Sequence, residues 1–248
     1  MGSVRTLLAI AVVCAHCYGG GLIFVGGRLA VQLFYVISGF LISYILVEAR
    51  TYRTVYSFYT NRFLRLFPIY WFVALLTIIA LLFASLIFNE THPIISTFEA
   101  LSFDGKLSLA LSNLLIFGQD WIMFTGVRGG DFQFVTDFRE SDVQVWQGLL
   151  VPQAWTLGVE LSFYVIAPFV LVRKNLMLAL LLCSLVLRGY LIYIGLGTKD
   201  PWSYRFFPTD LALFLFGACA HQFLKPLYEK RYLLTENLSK ILTVVIFI

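Results

Sequence analysis

An all-α, polytopic transmembrane helix bundle is the fold this sequence predicts, on three observations. Of its 248 residues, 60% are hydrophobic and 13% are charged, against roughly a quarter charged in a typical soluble domain. Apolar runs of about 18 residues or more recur along the chain, each long enough to cross a hydrocarbon core of about 30 Å as a helix. Lys and Arg fall between those runs, where they set orientation, rather than in the basic stripe of a nucleic-acid-binding chain. The net charge of +4 therefore reports membrane topology. Membrane lipids are the expected surroundings, and no nucleic-acid partner is expected. No linker divides the runs, so residues 1–248 are read as a single transmembrane domain.

The spans follow in order. Residues 4–25, 29–47, 66–88, 155–172, 175–196 and 206–224 are six candidate crossings. A run from Leu238 stops at Ile248 and is too short to cross, so the chain is expected to be incomplete at its C-terminus. Residues 107–124, with Asn113, Gln119 and Asp120, make a weaker run. Arg50, Arg53, Arg62 and Arg65, then Arg173 and Lys174, then Lys225, Lys230 and Arg231 mark three cytoplasmic loops under the positive-inside bias. With Arg5 also inside, the parity closes only if 107–124 enters and returns rather than crossing. The expectation is seven to eight apolar segments, one of them re-entrant, in the plasma (inner) membrane with a cytoplasmic N-terminus. Between spans two and three, Tyr52, Tyr56 and Tyr59 share one face of a helix expected along the inner interface.

Four cysteines, Cys14, Cys17, Cys183 and Cys219, lie inside apolar runs, where a free thiol behaves as a small hydrophobe. His16 points away from both nearby sulfurs on a helix turning 100° per residue, so no metal site is expected.

An ionisable side chain inside the membrane is costly and is a functional candidate by default. His16 lies eleven residues beyond Arg5, a rise of roughly 16 Å along a helix. Glu160 lies about 8 Å below the start of a helix that descends from the outer face at Trp155. At a shared depth the carboxylate would orient the imidazole as a general base for a hydroxyl. The alternative is that His16 bonds a backbone carbonyl and Glu160 joins a buried network with Tyr164, four residues on. Arg188 and Asp210 are further intramembrane charges that could pair, which helix position leaves open; a structural role is expected of Arg188, and Arg205 is read as an interfacial anchor. Arg62 and Arg65, at i and i+3, share a helix face and could hold phosphates or simply obey the positive-inside bias. Ser38 and Gly39 put small residues mid-helix, open to close helix packing or to a slender ligand.

Five segments in order resemble the integral membrane acyltransferase family 3, whose members O-acylate surface and lipid-linked carbohydrates. Arg5 with ten residues to His16 resembles the family's first-helix motif, and LFYVISGFLI (33–42) its second helix. RFLRLFPIYW (62–71), AWTLGVELSFYVIAP (154–168) and RFFPTDLALFLFGACAH (205–221) are similar to three further family signatures. The resemblance implies a catalytic role for His16 supported by Arg5, partnership of Glu160 and Tyr164 with that centre, and acyl-CoA handling by Arg62 and Arg65. The chain departs from the family pattern at Gly2, where an acid is usual, and at Thr156, where serine is usual. On this reading acyl-CoA, with acetyl first among the acyl groups, is a co-substrate rather than a resident cofactor. Ser38 and Gly39 line its path, and a carbohydrate hydroxyl is the acceptor. A flippase or exporter of a glycan or lipid precursor, and a catalytically inactive family member, are the competing readings.

Overall fold

Helix α1 (Gly2–Cys17) and helix α2 (Gly27–Ser43) are apolar over most of their length and meet through small and branched residues. Leu8, Ala11 and Ala30 are buried there, with Val12, Phe34 and Ile37 packed around them. The protein is seen in a computed structural model that describes residues 2–17, 25–88 and 92–232, apart from the side chains of Gly2, His16 and Phe88. It is 76% helical. Contacts divide the chain into two compact units: Met1–Thr51 with Phe169–Leu181 and Ala212–Ile248, and Tyr52–Pro168 with Leu182–Leu211.

In the first unit α2 lies directly against α9 (Phe207–Cys219). A Cβ at Gly39 would overlap the carbonyl of Phe214, and one at Gly217 would overlap the carbonyl of Val36. Two glycines thus let the backbones touch reciprocally, and Tyr35 stacks on Phe214 at 4.7 Å beside the contact. Shortly beyond it each helix widens into a π-turn, Tyr44–Glu48 after α2 and Ala220–Leu224 after α9. Such turns leave one residue out of α register and are frequent at functional sites.

The second unit is built around α3 (Val55–Phe88), 34 residues long. Its first turn is capped by Thr54, whose hydroxyl oxygen accepts from the Ser57 amide at 3.1 Å. The helix therefore starts after Tyr52, so Tyr52, Tyr56 and Tyr59 do not form the single interfacial face expected of residues 51–62. Tyr56 is 80% exposed, whereas the Tyr59 hydroxyl donates to the Val165 carbonyl at 2.7 Å. Helices α4 (Pro93–Ala100) and α5 (Phe103–Leu115) follow, and the chain then turns at Ile116 and Gly118, with φ of 62° and 87°. The short α6 (Gln119–Ile122) resumes beyond this turn, so residues 107–124 are two pieces and not one helix.

Polar groups hold this break in place. Gln119 Nε2 donates to the Tyr70 hydroxyl at 2.7 Å, and Tyr70 donates to the Asn113 carbonyl at 2.8 Å. Asn113 in turn bonds Gly148 O at 3.1 Å and the Leu150 amide at 2.8 Å. Phe67, Tyr70, Ala74, Ile116 and Ala154 close an apolar cluster around the network.

A two-stranded hairpin, β1 (Thr125–Arg128) and β2 (Asp131–Phe134), departs from the all-α expectation. Gly129 and Gly130 form its turn with φ of 62° and 91°, the positive values that a tight two-residue hairpin requires. Helices α7 (Trp155–Val170) and α8 (Lys174–Tyr193) complete the architecture.

Among the described residues three helical stretches, Gly27–Glu48, Val55–Ile87 and Lys174–Tyr193, are long and apolar enough to cross a membrane. Helices α1 and α7 have 16 residues and α9 has 13, the last passing into its π-turn. The run from Leu238 lies outside the described residues.

If the α2 and α9 contact is backbone against backbone, Gly217→Ala should destabilise the protein by about 1–3 kcal/mol through overpacking. Gly189→Ala in α8, where nothing lies within 4 Å, should be neutral or stabilise by about 0.5–1 kcal/mol. Unfolding midpoints in detergent measure both.

Candidate active site

Helix α7 buries Val159, Phe163 and Ala167 at i, i+4 and i+8. Beside that stripe run Glu160 and Tyr164, themselves one turn apart. The Tyr164 hydroxyl donates to Glu160 Oε1 at 2.5 Å, and both residues are buried, Glu160 at 9% exposure. Holding the phenol on the carboxylate fixes the rotamer of each, the pairing the spacing allowed.

Arg62 reaches the same place from α3. It is 5% exposed, with its guanidinium carbon 5.4 Å from the Tyr164 ring centroid and 5.5 Å from that of Phe58. Its polar partner is the Tyr52 hydroxyl at 3.4 Å, and Nε has no hydrogen-bond partner. Among the described residues no carboxylate lies within ion-pair distance of it. A buried cation held only by ring faces and one long hydrogen bond is costly, and an anion brought from outside would relieve it. Arg65 is exposed. The border between buried and exposed faces of α3 runs between the two arginines, so they do not converge on one point.

In the first unit Arg5 donates from Nη2 to Ser38 Oγ at 3.4 Å and lies over the Phe34 ring at 5.8 Å. Two residues singled out in the sequence, Arg5 and Ser38, therefore meet. Gly39 meets the backbone of Phe214 instead, which occupies the space a ligand would need on that side. His16 lies in α1, but its side chain, and with it the expected pairing with Glu160, falls outside the description.

Other expected charges resolve as structural. Arg188 pairs with Asp210 at 3.5 Å and also donates to the carbonyls of Ser203 and Thr209. Arg205 is more than an interfacial anchor. It binds Asp200 through Nε at 2.6 Å and Nη2 at 3.3 Å, and it lies 4.2 Å from the Trp155 ring centroid. Trp155 is the first residue of α7, so this clamp fixes the end of the helix that carries Glu160.

The sequence reading missed a cluster where the two π-turns meet. His221, 3% exposed, joins Ser43 Oγ through Nδ1 and Glu48 Oε2 through Nε2, both at 2.9 Å. A carboxylate only accepts, so Nε2 carries the proton, and in the neutral ring Nδ1 accepts from the Ser43 hydroxyl. Gln222 Nε2 donates to Ser43 Oγ at 3.0 Å and to the Leu171 carbonyl at 2.9 Å. Lys225 closes the chain on Glu48 at 2.6 Å, a hydrogen bond that holds its ammonium above the ordinary lysine range. The available signal was an imidazole inside an apolar run.

Ser43→Ala and His221→Ala should each cost about 1–3 kcal/mol, since each leaves buried partners unsatisfied. Lys225→Ala, at the surface, should cost less. Chemical unfolding of the purified chain ranks the three.

The family model described as an acyltransferase domain matches residues 2–248. No curated protein and no solved structure matches the chain.

Proposed function

The chain belongs to the acyltransferase domain family, and from that premise we propose that it moves an acyl group, acetyl first among candidates, from acyl-CoA to a carbohydrate hydroxyl. Membership makes it an acyltransferase, and its apolar helices make it a membrane protein. The donor enters from the cytoplasm, with the N-terminus of the chain on the same side in the inner membrane. A hydroxyl of a surface or lipid-linked carbohydrate is the acceptor. The hydroxyl oxygen bonds the acyl carbon as the carbon–sulfur bond breaks, its proton passes to His16, and CoA leaves as the thiolate. Glu160, held by Tyr164, orients the imidazole, and Arg5 supports the first helix through Ser38.

Arg62 carries this reading. A buried guanidinium with no carboxylate partner among the described residues is matched by a ligand bearing phosphates, and its contact with Tyr164 joins donor recognition to the Glu160 pair. Arg65, being exposed, serves as an outer phosphate contact of smaller effect. Ser38 and Gly39 are assigned to acyl-CoA by the family resemblance alone.

His16→Ala should abolish transfer from labelled acetyl-CoA to membrane glycans while the protein still inserts and folds. Full activity in that variant would remove the proposed base, and wild-type membranes that export glycan but acylate nothing would point to a transporter. Arg62→Ala should raise the KM for acetyl-CoA by tenfold or more, on the order of the 1.4 kcal/mol or more carried by a charge-assisted bond. Arg65→Ala should raise it by less.

A further inference from the structure

Tyr52 stands in the non-helical stretch just before α3, outside the helix that Thr54 caps. Its hydroxyl is engaged twice. It donates to Asn61 Oδ1 at 2.7 Å, a short bond to an exposed side chain, and it accepts from Arg62 Nη2 at 3.4 Å, a long and weak one. Its ring meets Phe58 edge to face at 5.6 Å, and Phe58 in turn lies under the guanidinium. Phe58 and Tyr164 thus offer ring faces to Arg62, and Tyr52, which reaches it through its hydroxyl, is the neighbour not rooted in a helix.

We propose that Tyr52 competes with the donor's phosphate for Arg62, covering the cation until a phosphate-bearing acyl donor displaces the phenol. This rests on the donor reading above. The competition is lopsided by chemistry. A neutral phenol oxygen at 3.4 Å offers one weak contact, whereas a phosphate offers short charge-assisted bonds of about twice the strength of neutral ones. The phenol is held in place mainly by Asn61, so displacing it sacrifices that bond and little else on α3. The cost of displacement lowers the apparent affinity for every anion, as a binding-competent state that is only partly populated does. A small anion such as inorganic phosphate gains one contact and is disfavoured. A donor that adds pantetheine and adenine contacts recovers the cost. Tyr52 is on this account a residue that sets the apparent affinity of the Arg62 site, low enough that free phosphate is weakly held while an extended donor still binds.

The test measures binding of acetyl-CoA and of inorganic phosphate to the full chain in nanodiscs by titration calorimetry. Tyr52→Phe keeps the ring on Phe58 and removes only the hydroxyl. It should bind acetyl-CoA about three- to tenfold more tightly, the range expected for release of one hydrogen bond, and should gain the same factor in its affinity for phosphate. Asn61→Ala, an exposed substitution, should move both affinities in the same direction by a smaller factor. With Arg62→Ala in the background, Tyr52→Phe should change nothing. If wild type binds acetyl-CoA and Tyr52→Phe and Asn61→Ala bind it equally or less tightly, the competition is overturned while the donor reading stands. If wild type does not bind acetyl-CoA, both fall.

Discussion

A polar group withdrawn from water inside so apolar a chain must find its partner within the chain, because an unmet amide or hydroxyl costs a few kcal/mol and an unmet charge costs more. This constraint accounts for where the contacts converge. Ser43, His221, Gln222 and Glu48 bond one another at two π-turns, so that one buried imidazole is met on both nitrogens. Gln119, Tyr70 and Asn113 are linked in the same way at the break after α5, where Gln119 and Tyr70 each donate to a carbonyl of its last turn. Arg188 finds a carboxylate and two carbonyls.

Arg62 breaks this pattern, and that makes it informative. It is as deeply placed as the others, yet it is met by ring faces and a distant phenol. Arg188 is met by groups of the chain itself, whereas Arg62 is not, and an anion brought to that place from outside would satisfy it. The neighbouring Tyr164 and Glu160 pair ties that place to the acid expected at the reaction centre. The same logic separates Arg62 from Arg65, two residues of identical chemistry one helical turn apart, of which only the first is desolvated.

Much of the site could be read from spacing. Glu160 and Tyr164 four apart follow from helix periodicity, and Arg188 and Asp210 stand out through the cost of intramembrane charge, though which partner each finds is not a local property. Other features had local signals that were passed over. Gly129 and Gly130 announce a tight hairpin, and His221 is an ionisable group in an apolar run. The start of α3 was misplaced because the tyrosine spacing outweighed Thr54, whose side chain decides where the helix begins.

From the sequence alone came the helical class, the apolar runs and the short list of polar residues worth attention, because periodicity and the price of burying charge are local properties. Tertiary structure decided which of those residues are satisfied by the protein and which are held open. It also decided that Gly39 serves backbone contact with Phe214, and that a serine and a histidine 178 positions apart share a hydrogen bond. Such pairings depend on which helix faces which and at what register, and a π-turn shifts that register by one residue without leaving a mark that hydrophobic spacing can show.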